Sequence, residues 1–278
     1  SGLTATNGFP APEALAGGGL QLRGGGLYAT NCFLTLSNCW IVGNCTSNAA
    51  YNLGMGGGVC SLGGTLQMVN CVVSNNVAGA PFTSKGGGIA VSNNSLSVLI
   101  SNCVITANTV GPVPSSPITA SVFGGGLSVE GANLNVTDCA ITNNLARASS
   151  LPGATARGAG FYGFSAIPMR FLRDTVAGNL ATGNITLGGG MVVSNSAASS
   201  FQNCTISGNS LLGASSASGG GGVLGTFAMT NCTVVSNSVV TGSGGGVTGS
   251  GTVTLKNTLV AGNSAPTDGD VMGTFVSL

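Results

Sequence analysis

The sequence contains no histidine and very few charged side chains. Its 278 residues include seven Lys or Arg and six Asp or Glu, so charged residues make up 5% and the net charge is +1. Average proteins carry about 25% charged residues. No basic run and no basic patch interleaved with aromatic residues occurs, so we exclude nucleic acid as a partner.

Long apolar runs are also missing. A membrane-spanning helix needs about 20 consecutive apolar residues, whereas alanine, glycine and valine are spread along the whole chain. We therefore expect no membrane span in this segment. No signal-like leader follows Ser1, which predicts a processed product or a segment of a longer protein.

Glycine, in contrast, is abundant, with 49 residues. A glycine in a helix or strand costs about 0.5–1 kcal/mol relative to alanine, so this number needs a regular structural reason. The glycines form triplets followed by an apolar residue, and in one copy an alanine replaces the middle glycine, giving Gly158-Ala159-Gly160. The triplets begin at Gly24, Gly56, Gly86, Gly124, Gly188, Gly220 and Gly244.

Two columns of residues follow the glycine clusters. The first column is Asp174 in one copy of the repeat and Thr258 in another. In the other six copies it is a cysteine: Cys39, Cys71, Cys103, Cys139, Cys204 and Cys232. Five residues later, every copy has an asparagine: Asn44, Asn76, Asn108, Asn144, Asn179, Asn209, Asn237 and Asn263. Such a period indicates stacked units, in which the two columns form structural ladders.

Apolar residues alternate with polar ones around the cysteine column. In one copy, Leu66 and Met68 form one alternating apolar pair, and the column residue Cys71 forms a second pair with Val73. Met68 and Cys71 are three residues apart, so the second pair would face the opposite side of a straight strand. The chain must therefore turn between the two pairs. With a third strand after the glycines, each copy forms a coil of three strands, and stretches such as Ala78 to Lys85 are expected to be loops. These features predict an all-β fold, a right-handed parallel β-helix (solenoid) of about eight coils.

The repeat also predicts the organisation of the chain. Residues 1–23 are interpreted as an irregular start or partial coil, and residues 24–263 as the parallel β-helix. Residues 264–278 are expected to form an end strand that continues into or contacts another unit.

The glycine cluster, the strand and the closing pattern N-C-x-[IV]-x-x-N, as in Asn70 to Asn76, resemble the parallel β-helix repeat of the pectin-lyase-like superfamily. The closest resemblance is to the repeats of chlamydial polymorphic outer-membrane proteins and related surface proteins. The resemblance covers residues 24–263 and implies secretion and surface display, with an adhesive or structural role.

The nine cysteines can be interpreted as a metal site, a disulfide framework or buried thiols. Without histidine or a C-x-x-C pair, we expect neither a metal site nor a cofactor. The column cysteines share parity with the inward Ile or Val two residues later, which favours packed thiols, although pairs such as Cys39–Cys71 stay open. Cys32, Cys45 and Cys60 lie outside the column and are the disulfide candidates.

The six acidic residues form no paired-carboxylate motif, so the sequence predicts no enzyme activity. Charge concentrates in one stretch that contains Asp138, Arg147, Arg157, Arg170, Arg173 and Asp174. Asp174 stands in the inward cysteine column and is expected to be neutral, paired with Arg170 or Arg173, or turned outward.

Asn-x-Ser/Thr sequons provide candidate glycosylation sites at Asn44, Asn93, Asn135, Asn184, Asn203 and Asn231. Together these observations predict a secreted or cell-surface structural glycoprotein: a filament, coat or adhesin rod acting through shape and surface loops. Its expected partners are further copies of itself or other surface proteins, and glycans are a further class. The alternative is a carbohydrate-binding or carbohydrate-degrading protein of the pectin-lyase type.

Overall fold

A computed structural model of the chain describes residues 2–14, 20–50, 52–92, 97–111, 120–195 and 199–278. The described residues form 37 strands, which we number β1 to β37 in chain order, and contain no helix. Consecutive coils pair in parallel, so the predicted all-β parallel β-helix is confirmed. The right-handed sense stays a prediction. Within these residues no helix has the length and apolar character needed to cross a membrane.

Sheet 1 follows the glycine clusters and has fourteen strands. In the first, second and eighth coils one long strand spans it, and in the other coils two shorter strands do so. Its members are β4 (Leu27–Ser37), β8 (Val59–Val69), β12 (Ile89–Ser92), β13 (Ser97–Ser101), β17 (Leu127–Glu130), β18 (Asn133–Thr137), β22 (Phe161–Ser165), β23 (Arg170–Leu172), β27 (Met191–Asn195), β28 (Ser199–Gln202), β31 (Val223–Gly225), β32 (Phe227–Thr230), β35 (Val247–Lys256) and β37 (Val271–Ser277).

Sheet 2 has nine strands and begins directly after the cysteine column. Its members are β1 (Thr4–Thr6), β5 (Trp40–Val42), β9 (Val72–Ser74), β14 (Val104–Thr106), β19 (Ala140–Thr142), β24 (Thr175–Ala177), β29 (Thr205–Ser207), β33 (Thr233–Val235) and β36 (Leu259–Ala261). The strand β1 pairs with β5, so the first residues of the chain belong to the solenoid.

Two further sheets correct the expectation of three strands and a loop in each coil. Sheet 3 contains β6 (Cys45–Ser47), β10 (Val77–Gly79), β15 (Thr109–Gly111), β20 (Leu145–Arg147), β25 (Leu180–Gly183), β30 (Ser210–Gly213) and β34 (Ser238–Val239). Sheet 4 contains β2 (Glu13–Ala14), β3 (Leu20–Arg23), β7 (Leu53–Met55), β11 (Thr83–Lys85), β16 (Ser121–Phe123), β21 (Thr155–Arg157) and β26 (Ile185–Leu187).

Small side chains explain why the predicted loops are strands. Ala78, Ala146 and Ala181 point inward between sheets 3 and 4 and, with Val110 and Leu211, belong to a second, narrow core. Alanine, serine and glycine fit this narrow space, but they produce little hydrophobic alternation in the sequence. The strands were therefore hidden by the residue types that their packing requires.

The main core lies between sheets 1 and 2. It contains the column cysteines and the apolar residues that flank them. In the middle coils a row of aromatic contacts, with ring centroids 4.8 to 5.3 Å apart, joins Phe161, Phe171, Phe201 and Phe227. The Phe171 and Phe201 rings are stacked, and the other two pairs meet edge to face. This continuous core connects each coil to its neighbours and gives the fold the form of a rod.

Candidate functional site

The asparagine column forms a buried hydrogen-bonded ladder between sheets 2 and 3, which we call the inner ladder. Asn76 illustrates the pattern. Its Nδ2 donates to Asn108 Oδ1 at 2.9 Å and to the carbonyl of Ile41 at 2.9 Å, and its backbone N–H also donates to Asn108 Oδ1, at 3.1 Å. Its own Oδ1 accepts both bonds from Asn44. The pattern repeats along the column, so each buried amide is satisfied.

The glycine triplets are explained by this ladder. A Cβ at Gly88 would lie 2.9 Å from Asn108 Cγ and 2.7 Å from the carbonyl oxygen of Gly126. The third glycine of each of the other clusters meets the asparagine of its own coil in the same way, at 2.7 to 3.1 Å. The two sequence columns are therefore halves of one packing unit, because the asparagine amide fills the space that a side chain at the glycine would need.

Both ends of the inner ladder have partners. At the first coil the N–H of Gly8 donates to Asn44 Oδ1 at 2.9 Å. At the last coil Asp270 Oδ1 accepts from the backbone N–H and from Nδ2 of Asn263, each at 2.9 Å. Each Nδ2 donates one proton to the next coil and the other to a carbonyl of the preceding coil, so the last amide of the column presents a donor to this carboxyl group. Sequence reasoning missed Asp270 because it stands in the glycine column.

The cysteine column lies in the main core, and its thiols are free. Each thiol donates to a nearby carbonyl, as Cys103 does to Ser101 at 3.2 Å. The sulfur also accepts from the coil below: the N–H of Cys71 points to Cys103 Sγ at 3.3 Å. The column therefore consists of packed, hydrogen-bonded thiols.

The disulfides predicted for Cys32, Cys45 and Cys60 are not found, because all three are free thiols. The strand register gives the reason. Cys32 lies beside Gly64, Cys45 beside Val77, and Cys60 between Tyr28 and Ala90, so none of the three has a cysteine as its neighbour. Burial also raises the pKa of Cys60 to about 12, which makes its thiol a poor nucleophile.

Asp174 takes the place of a cysteine in the core column and pairs with neither Arg170 nor Arg173. Its side chain is 2% exposed. Oδ1 accepts the N–H of Cys139 at 2.8 Å and Oδ2 that of Leu172 at 2.9 Å. Burial raises its pKa to about 7, against the opposing effect of these two donors. The carboxyl replaces the thiol as the acceptor for the coil below.

A second ladder runs along the outside at the turn before the cysteine column. Asn70, Asn102 and Asn231 have left-handed backbone angles and join exposed amides, for example Asn102 Nδ2 to Asn70 Oδ1 at 2.7 Å. In the middle coils Asp138 and Arg173 replace the asparagines and form a two-bond ion pair at 2.6 and 2.7 Å. The Arg173 guanidinium holds the pKa of Asp138 below its usual value.

The predicted charge concentration is therefore divided among several places. Arg147 is exposed on sheet 3, whereas Arg157 lies over the Phe123 ring at 5.9 Å on sheet 4. Arg170 lines a groove of about 500 Å³ on the outer face of sheet 1. Asn135, Ser200 and Gln202 line the same groove, which gives it a polar floor with one cation.

The sequon asparagines occupy very different environments. Asn44 is buried in the inner ladder, so a glycan on its Nδ2 would break the bonds to Asn76 and Ala5. Asn203 and Asn231 are exposed on the outer ladder, Asn135 is half-buried in the groove, and Asn184 accepts an N–H from Gly153. Asn93 lies outside the described residues. Glycosylation of the accessible sequons stays a prediction.

In the part of the chain that the structure describes, no group of three or more His, Cys, Asp or Glu is placed to hold a metal ion. Comparisons with family models, curated proteins and solved structures give no match to this chain. The class of protein that the fold defines is a parallel β-helix, and the functional argument rests on its geometry.

Proposed function

We propose that this chain is an extracellular or cell-surface structural rod, which acts through its shape and through association with copies of itself or with other surface proteins. The main support is the use of the ionisable side chains. Three ion pairs, Arg23–Glu13, Lys85–Glu130 and Arg173–Asp138, join neighbouring coils or the start of the chain. Six of the thirteen charged side chains are thus paired with each other within the rod.

The resemblance of the repeat to those of pectin-lyase-like and polymorphic outer-membrane proteins is part of this proposal. The parallel coils and the stacked asparagines support it. An uncharged polar surface, rich in serine, threonine and asparagine, and the exposed sequons at Asn203 and Asn231 suit an extracellular location.

Electron microscopy of the protein as isolated from its source tests the structural role. Ordered filaments or a layer are the expected result. The apparent molar mass of the purified chain, measured by light scattering, should rise with concentration. Dispersed particles that stay monomeric at every concentration would contradict the self-association in this proposal.

A second candidate function is the binding of a carbohydrate in the groove beside Arg170. The amide and hydroxyl groups that line it suit sugar hydroxyls, and Arg170 suits an acidic group. A glycan array with the wild-type chain tests this. Arg170→Ala should abolish any signal, whereas Arg147→Ala removes the same charge from sheet 3 and should not. Equal loss in both variants would exclude the groove.

A further inference from the structure

The two ends of the rod are partial coils that complement each other. At the N-terminal end, β1 adds a strand to sheet 2, but no described strand covers β4 in sheet 1. At the C-terminal end, β37 adds a strand to sheet 1, but no described strand covers β36 in sheet 2. Each end thus carries the part of a coil that the other end lacks.

Apolar exposure is concentrated at these ends. Eleven of the nineteen exposed large hydrophobic side chains lie before residue 45 or after residue 257. At the C-terminal end an open cavity of about 630 Å³ with a mostly polar lining lies between β37 and β36, and the residues that line it include Leu255, Thr258, Leu259 and Ser277. Monomeric proteins seldom leave large groups of exposed apolar side chains uncovered.

From this we infer that the chain stacks head to tail on a second copy, whose β1 extends sheet 2 beyond β36 and whose Leu3 enters the cavity. The register supports this occupant. Because Thr4 pairs with Trp40, Leu3 occupies the position of Cys39 and would continue the column after Thr258. Leu3 is 47% exposed at the other end of the rod. The inference rests on the proposed self-association and names its surfaces.

The inner ladder would pass through this contact in modified form. In each full coil the asparagine carries the side chain and the third position of the glycine cluster has none. In the composite coil the arrangement is reversed, since Asp270 stands in the glycine column and Gly8 in the asparagine column. Asp270 supplies the acceptor for Asn263, and Gly8 of the second copy supplies the N–H donor for that copy's Asn44.

In the composite coil the second oxygen of Asp270 would take the place of the amide nitrogen that donates to the next coil elsewhere in the ladder. It would then face Asn44 Oδ1 of the second copy, which is also an acceptor. An asparagine at position 270 would provide the missing donor. Asp270 therefore keeps the contact weak and reversible, in the way that charged groups limit pairing at the edges of sheets.

The antiparallel strand β2 covers β3 at the edge of sheet 4 and must be displaced during stacking. It comprises two residues and is held by Glu13, whose contacts with Arg23 and Gln21 are both 3.4 Å long. Gln21 Oε1 and Arg23 Nε stay without hydrogen-bond partners beneath it. Such a short, poorly bonded strand is easily moved.

Sedimentation velocity of the 278-residue chain over a range of concentrations tests the inference. Leu3→Glu should lower the association constant about tenfold or more, because a buried leucine is lost and a charge enters the contact. Leu212→Glu is the matched control, since Leu212 is also 47% exposed but lies on the side of the rod. Asp270→Asn should raise the constant about tenfold, whereas Asp268→Asn removes the same charge and should not.

The outcomes separate the two proposals. Equal association of the Leu3→Glu and Leu212→Glu variants, or of the Asp270→Asn and Asp268→Asn variants, would overturn head-to-tail stacking. Polymers that form in spite of Leu3→Glu would leave the structural role intact with a lateral contact. If the wild-type chain and the Asp270→Asn variant both stay monomeric at all concentrations, this result would contradict head-to-tail stacking and the self-association in the proposed function.

Discussion

At the scale of single residues, close backbone packing explains most of the unusual composition. A Cβ at the third glycine of each cluster would meet the asparagine of its own coil and a carbonyl oxygen of the next coil. At the middle glycine a Cβ would approach a carbonyl oxygen of the next coil even more closely, at 2.2 to 2.5 Å, although one coil has the buried Ala159 in this position. Glycine destabilises strands relative to alanine. The asparagine ladder offsets this loss of stability, and it can form only because the glycines have no side chain in the space that the amides occupy.

Gly88→Ala tests this packing. We expect it to destabilise the chain by about 1–3 kcal/mol, as overpacking does elsewhere. Gly111→Ala is the control, since its nearest atom is 3.1 Å away and its φ is not positive, and it should cost less than about 1 kcal/mol. The midpoints of urea unfolding compare the two variants. A larger effect at Gly111 would contradict the packing argument.

Asp174→Cys tests the one carboxyl in the cysteine column. The folded chain holds the Asp174 proton up to a pKa of about 7, whereas the unfolded chain loses it near pH 4. The folded state therefore binds more protons in this window, and stability falls as the pH rises from about 4 to 7. We expect the variant to be more stable above pH 7, by about 1–4 kcal/mol.

Urea unfolding at pH 4, 5.5 and 8 measures this difference, which should shrink toward pH 4. Asp268→Asn, which removes an exposed carboxyl, provides the comparison. A variant that is less stable than the wild-type chain at pH 8 would indicate that the carboxylate stabilises the fold, and lost glycan or partner binding would assign it to a site.

At the scale of elements, the two ladders have different structural weight. The inner ladder is buried and every amide in it makes several hydrogen bonds, whereas the outer ladder is exposed and tolerates its replacement by the Asp138–Arg173 pair. Buried polar groups lose more when their partners are removed than exposed ones do.

Asn108→Ala should accordingly destabilise the chain by about 3–5 kcal/mol, because it removes the acceptor of two Asn76 N–H donors and the amide that donates to Val73 and Asn144 in the interior. Asn102→Ala, on the outer ladder six residues earlier, should cost about 1–2 kcal/mol, mainly from its left-handed backbone. Urea unfolding distinguishes them. Similar losses in both variants would show that the inner ladder has no special weight.

At the scale of the whole molecule, each coil contacts only its neighbours, so stability is distributed along the rod. The first and last coils have one neighbour and expose apolar residues, whereas the middle coils contain the row of four contacting phenylalanines. The ends are thus the least stable part of an isolated rod and the part that association would protect.

Hydrogen exchange should display this gradient. We expect amides of β36 and β37 to exchange fastest, and those of β19, β24 and β29 to exchange slowest, because opening a middle coil breaks contacts on two sides. Mass spectrometry of peptides from a dilute sample measures the rates, and a concentrated sample should show slower exchange at both ends only. Uniform protection along the chain would contradict a gradient of this kind.

The period, the two columns, the turn asparagines and the parallel stacking were readable from the sequence because they repeat. Residues that occupy the same position in successive coils contact each other, so their identity recurs at a fixed spacing. Alternation also marked the strands of sheets 1 and 2, where the inward side chains are large. These features determined the fold class and most of the main core.

The tertiary structure decided what depends on contacts between different positions of the coil. It showed that glycine and asparagine columns share one space, that Asp270 ends the inner ladder, and that Arg173 pairs with Asp138 and not with Asp174. It also revealed sheets 3 and 4, whose small side chains leave little hydrophobic pattern, and the free thiols of Cys32, Cys45 and Cys60. A repeat reports which residues stack along the rod, but only the cross-section determines which residues meet across it.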